Sequence, residues 1–280
     1  MHLSDYTVDN PVLKREMRAR LRPRVLRGNP SLTYGVYALC ACIVYAYVKG
    51  VALMFHGPPS DARDLFQMLT WILLILVSII APALSATAIS QEREQQTWEI
   101  LAVTRITAGQ VILGKWLGRQ LILVIGFVIL LPFTLGSAIH AGIAPESALD
   151  CFVFLALCAN FFTALGLLCS SRAKRTPTAT AFALVTTAVL CIGSLVVNSI
   201  VESFGLWNAS ANAVGGYVET PIMWINPYYA MAEGSDLWFS SGSSNHAADT
   251  TVVVMCVAFM VFFSAATAFS LIRRFRDNRP

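Results

Sequence analysis

The sequence predicts an all-α polytopic membrane protein with six transmembrane helices and both termini in the cytoplasm. Three observations lead there. Of 280 residues, 56% are hydrophobic and only 13% charged, against about 25% charged in soluble domains. Six apolar runs reach the roughly 20 residues that a helix needs to cross a bilayer: 32–55, 65–89, 121–139, 151–171, 178–201 and 250–272. Eighteen of the 20 lysines and arginines fall on one side of these runs. Backbone amides find no water partners in lipid, so the runs must be helices. The alternating pattern of a membrane barrel is missing. The whole chain, 1–280, reads as a single transmembrane domain.

Orientation follows from the basic residues. Seven precede the first run: Lys14, Arg15, Arg18, Arg20, Arg22, Arg24 and Arg27. Arg93, Arg105, Lys115 and Arg119 lie between the second and third runs, Arg172, Lys174 and Arg175 between the fourth and fifth. Arg273, Arg274, Arg276 and Arg279 follow the last. Only Lys49 and Arg63 fall opposite. The stretch 202–247, with no lysine or arginine, is therefore outside, and the expected location is a plasma or inner cell membrane. The first thirty residues are polar and basic and lack an early apolar region. Span one is thus expected to serve as its own insertion signal.

Ahead of that span, Asn10 suits an N-cap and Pro11 a first helical position. Leu13, Met17 and Leu21 recur every four residues, and Pro23 closes the pattern. Residues 10–27 are expected to form an amphipathic helix on the cytoplasmic membrane surface, with Lys14, Arg15, Arg18 and Arg22 toward lipid phosphates. The bland alternative is that these charges only set topology. Nucleic acid is not an expected partner, because the charge adjoins a span and lacks interleaved aromatics.

Within the spans, Pro82 and Pro132 are read as kinks, serving either as hinges or as packing features. Asn160 and Asn198 are expected to hydrogen-bond between helices, whereas Lys49 and Asp150 sit at span ends. The carboxylates and histidines that carry ions in proton-driven transporters are missing from the spans. The seven cysteines lie within or beside spans and read as small apolar packing residues. Four widely separated histidines (His2, His56, His140, His246) show no metal-ligand spacing, so no metal site is expected. A catalytic set in the spans is likewise missing, which argues against a membrane enzyme.

The outside stretch ends in Pro221–Met231, PIMWINPYYAM. Its two prolines exclude one straight helix, so a broken or re-entrant hairpin is expected. Trp224, Tyr228 and Tyr229 have the character of interface residues. Asn208-Ala209-Ser210 matches a glycosylation sequon on the correct side.

Between spans two and three lies the polar segment 91–120, QEREQQTWEILAVTRITAGQVILGKWLGRQ, far longer than a plain connection requires. If Gln91–Val103 is helical, Glu94, Trp98, Leu101 and Arg105 share one face, and Glu92, Gln96, Glu99 and Val103 another. Thr107 and Gln110 then fit a capping box opening a second helix through Val111, Leu113 and Trp116 into span three. Gly109–Lys115 matches GxxxxGK, but Trp116 stands where a nucleotide loop needs Ser or Thr for magnesium, and no strand precedes it. ATP and Mg are expected in another chain.

The residues Glu92-Arg93-Glu94, Thr97-Trp98-Glu99-Ile100-Leu101 and Thr104, followed by Ile112-Leu113-Gly114-Lys115, resemble the membrane subunit of ABC-2 type ABC transporters. That family shows ERExGTxExLL…T…GK at this place. The start, Asn10 to Arg18, and the Asn226-Pro227-Tyr228 segment before the last span are similar as well. Gln96 replaces the family's usual glycine, and Arg105 a common proline. The resemblance implies a permease subunit without catalytic residues, an exporter rather than an importer, paired with a second permease subunit. It implies that a separate ATPase subunit docks on the cytoplasmic coupling helix, with Glu92, Arg93, Glu94, Thr97, Trp98, Glu99 and Arg105 at the contact. The competing reading is a membrane scaffold that recruits a cytoplasmic partner without transport.

Overall fold

The computed structural model describes residues 59–95, 108–173, 175–204, 223–239 and 246–277. The predicted first span, the surface helix 10–27 and the cysteines Cys40 and Cys42 lie outside the described residues. Within them, every regular element is a helix. In chain order these are α1 (Pro59–Glu94), α2 (Ala108–His140), α3 (Pro145–Arg172), α4 (Thr176–Ser203), a 3-10 turn (Met223–Ile225), α5 (Pro227–Phe239) and α6 (His246–Asp277). Five of them, α1 to α4 and α6, are long and apolar enough to cross a membrane.

Each long helix extends past the apolar run that predicts it. α1 begins six residues before Leu65 and continues five beyond Ile89, because its polar ends remain good helix formers once the apolar middle is fixed. Pro82 and Pro132 lie inside unbroken helices. α2 and α3 are joined by a tight Schellman turn: Gly142 takes φ +70°, Ile143 N–H donates to Ala138 O at 3.0 Å, and Gly142 N–H to Ile139 O at 3.1 Å. The buried side chains of Ala138 and Ile143 accompany it. Pro145 then opens α3.

α3 is the centre of the bundle. Two thirds of its most apolar window (67%) is buried inside the protein, against 17% for α4 and 22% for α2. Phe161 is fully buried and meets Phe162, Phe259 and Phe263 with ring centroids 5.1–5.9 Å apart. α1 packs tightly on α3 at Gly166, where an added Cβ would stand 2.7 Å from Pro82 O and 2.9 Å from Pro82 Cα. Pro82 thus packs a helix crossing, with glycine opposite it. The five described cysteines (Cys151, Cys158, Cys169, Cys191, Cys256) are buried thiols of the same core, as the composition suggested.

The segment before α6 is broken at Asn226, as its prolines required. Asn226 is fully buried. Its Oδ1 caps α5 by accepting from Tyr228 N–H at 2.9 Å. Its amide donates to Cys191 O at 3.0 Å and Ser194 Oγ at 2.8 Å on α4. Tyr228 differs from its expected role at the interface: its hydroxyl lies 2.6 Å from Ser78 Oγ and its ring stacks on Trp71, both on α1. A polar tip on an aromatic body serves a helix–helix bond as well as an interface.

Candidate functional site

The last two turns of α1 are tied by side chains to three neighbouring helices. Ser170 Oγ on α3 accepts Ile89 N–H at 2.9 Å and Ser90 N–H at 3.0 Å. Lys115 on α2, 1% exposed, donates from Nζ to Ala88 O at 2.5 Å and meets Glu92 Oε2 at 2.6 Å. Arg93 Nη1 donates to Ser171 O on α3 at 2.8 Å. Glu94 Oε2 accepts from Thr176 N–H at 3.1 Å and also from the Thr176 hydroxyl. Thr176 opens α4, so the carboxylate supplies an orphan amide at a helix N-terminus, where the dipole favours negative charge. The tail of α1 is therefore bound to α2, α3 and α4 within seven residues, 88–94.

Apolar packing supports these ties from beneath. Ala88 and Ile89 of α1, Ile112 and Trp116 of α2, Ala164 and Leu167 of α3 and Leu271 of α6 form one buried cluster. Asn160 on α3 anchors α2 beside it, accepting from Trp116 Nε1 at 2.9 Å and Gln120 Nε2 at 3.2 Å. This fulfils the interhelical role expected of Asn160. Arg93 and Arg274 both line a small cleft floored by Ile89, Ile112, Leu271 and Phe275, and their positive charges oppose each other there. Arg119, one turn past Lys115, is 4% exposed, and its Nε has no hydrogen-bond partner.

Three predicted interface residues, Glu92, Arg93 and Glu94, are thus described; each has a contact within its own chain, and Glu94 is exposed as well. The physical reason is continuity: α1 runs on to Glu94, which keeps this turn against the bundle. Thr97, Trp98, Glu99 and Arg105 lie outside the described residues, as do Lys14, Arg15, Arg18 and Arg22. Gly109–Lys115 is helix and not a phosphate loop. Sequence reasoning missed Lys115 as an ion-pair partner and Ser170, Ser171 and Thr176 as anchors. One signal was available: Glu92 stands three residues after one apolar run and Lys115 six before the next, at opposite charge.

This arrangement fixes one end of a polar segment rigidly to three membrane helices, which is a mechanical layout more than a catalytic one. A family model described as ABC-2 family transporter protein matches residues 10–277. The chain belongs to the ABC-2 transporter family. A search of the curated proteins finds no match. As a member of the ABC-2 family the chain is a multi-pass membrane permease component of an ABC transporter, not itself catalytic, and the family implies association with an ABC ATPase subunit. In an ABC-2 protein the ties at residues 88–94 lie at the base of the segment that the ERE and GK residues enclose.

Proposed function

We propose that this ABC-2 protein is the six-span permease subunit of an ATP-driven exporter, paired with a second permease subunit and docked to a separate ATPase subunit that holds ATP and Mg. Residues 1–58 would contribute the surface helix and the first span, with both termini in the cytoplasm as the basic residues indicate. The polar segment is the coupling element. Thr97, Trp98, Glu99 and Arg105 meet the ATPase, whereas Glu92, Arg93 and Glu94 hold the segment's root to α2, α3 and α4. The observation that carries this reading is the run of ties from Ala88 O to Glu94 Oε2.

Moving a two-state equilibrium from 1:99 to 99:1 takes about 5.5 kcal/mol of differential binding. A loose lever would dissipate that work in its own bending. A root fixed at six points (Ala88 O, the amides of Ile89 and Ser90, Glu92, Arg93, Glu94) passes it on to three helices at once. An apolar cleft of about 410 Å³ lies between α1 and α4, with Ser78, Thr187 and Tyr228 as its hydroxyl groups. Its chemistry favours a lipid-like or amphiphilic substrate.

Purification of the full chain from its host tests the reading. A stoichiometric ATPase with an intact phosphate loop is expected to accompany it, and Trp98→Ala with Glu99→Lys should release that ATPase while leaving the permease in the membrane. A non-ATPase partner held through the same residues would overturn the reading in favour of a scaffold.

A further inference from the structure

At the end of the bundle opposite the arginines, α3 and α6 enclose a second cleft of about 410 Å³. The two helices run the same way, so each wall begins polar and becomes apolar with depth. Ser147 and Asp150 on α3 and Thr250 on α6 form the mouth; Leu157 and Val257 lie at the bottom. From Asp150 to Leu157 the helical rise is roughly 10 Å, most of one leaflet's hydrocarbon depth. Phe154 and Trp238, with ring centroids 5.5 Å apart, close the floor. Val153 and Val254 remain 49% and 57% exposed, so the described residues do not fill the groove.

Charge narrows the occupant. Among the described residues Asp150 is the one charged group lining the cleft, and Glu146, also exposed, lies one turn above it. By the positive-inside rule this end faces outward. We propose that the α3–α6 groove binds an outer-leaflet phospholipid of the ethanolamine type, its ammonium on the Asp150 carboxylate and one acyl chain along Val153, Leu157, Val253 and Val257. A primary ammonium donates hydrogen bonds to a carboxylate, which strengthens the charge contact; a trimethylated choline head has no N–H to donate. A glycerol headgroup on an anionic lipid brings repulsion instead. The hydroxyls of Ser147 and Thr250 stand at the mouth, level with the lipid phosphate.

The site is distinct from the coupling segment and from the α1–α4 cleft. It requires no ATP, so its failure and the failure of the transporter reading are separable. The test uses the full chain in nanodiscs carrying photoreactive phosphatidylethanolamine, phosphatidylcholine or phosphatidylglycerol, with labelled peptides mapped by mass spectrometry. The ethanolamine lipid should label 147–157 and 250–257 about fivefold more than the other two. Asp150→Asn should reduce it to the choline level, Asp150→Glu should restore the preference, and Val153→Trp, which fills the groove, should remove labelling by all three lipids. Equal labelling by the three lipids, a preference unchanged in Asp150→Asn, or a groove unlabelled because a second chain covers it would each overturn the proposal.

Discussion

The ammonium of Lys115 and the carboxylate of Glu92 meet at 2.6 Å across the base of the polar segment, with the lysine 1% and the glutamate 18% exposed. The pair joins the last turn of α1 to the second turn of α2, so the two helices that bracket residues 96–107 are locked to each other before the segment begins. A lysine this deep is stabilised by its neighbours: Glu92 supplies the counter-charge and Ala88 O a further acceptor. Removing either charge alone takes from the other its close counter-charge.

This gives the first prediction. Lys115→Met is expected to cost about 3 kcal/mol, because it removes the ammonium 2.6 Å from the Glu92 carboxylate. Glu92→Gln is expected to cost a similar amount by removing the counter-charge of a buried ammonium. The double variant should recover most of the loss, since an apolar or neutral pair of similar volume is often no less stable than a buried ion pair. Thermal unfolding of the four proteins in one detergent measures the cycle; strictly additive losses would show that the two groups do not interact.

A second prediction concerns the α1–α3 crossing. Gly166→Ala places a methyl group 2.7 Å from Pro82 O, a contact with backbone that no rotamer change relieves. Overpacking of this kind costs about 1–3 kcal/mol. Gly126, with open space around its Cβ position, serves as the control, and Gly126→Ala should be neutral or slightly stabilising as helix propensity dictates. Comparison of the two melting temperatures is sufficient, and equal values would show that the crossing opens freely.

Much of this architecture was legible in the sequence, and the illegible part has a common cause. The cores of α1 to α4 and of α6 follow from apolar length alone, because a bilayer enforces it. The interhelical role of Asn160 followed from its being a polar residue inside a span. Helix ends were less visible: Glu92 to Glu94 read as the start of a separate docking helix, whereas they close α1 against its neighbours. Lys115 was visible only as a cytoplasmic-side basic residue and as the lysine of a GK pair, the nucleotide-loop match failing at Trp116. Gly166 is one of 17 glycines, and nothing in the local sequence marks it as the residue facing Pro82. Ser170 and Ser171 are the last two residues of the apolar run 151–171, with nothing local to mark them as anchors. Each of these roles depends on a partner more than 20 residues away, and local pattern carries no such information.

Asn226 yields the third prediction. It caps α5 and donates two hydrogen bonds to α4, with no exposed surface. Asn226→Ala should cost about 2–4 kcal/mol, combining a lost cap with stranded acceptors. Asn226→Asp keeps the acceptor for Tyr228 N–H but turns a carboxylate toward Cys191 O, so it should be no less damaging than alanine. Asn226→Asp more stable than Asn226→Ala, by thermal unfolding, would show that the cap alone matters and that α5 is held to α4 by apolar packing.

The last prediction separates docking from force transfer. If the ties at 88–94 make the root of the segment stiff, a flexible insertion just beyond them should leave the docking surface intact and interrupt its mechanical link. A Gly-Gly-Ser insertion between Gln95 and Gln96 adds freely rotating backbone outside every tie. The ATPase partner should still co-purify with the permease and hydrolyse ATP, because Thr97, Trp98, Glu99 and Arg105 are unchanged. Transport by the reconstituted complex should fall at least about tenfold, since a lever that yields delivers little of the ~5.5 kcal/mol that switching demands. Ser170→Ala removes two of the ties and should reduce transport in the same direction to a smaller extent. Transport preserved in the insertion variant at wild-type ATPase rates would mean that docking by itself is sufficient, and that the ties from Ala88 to Glu94 serve stability alone.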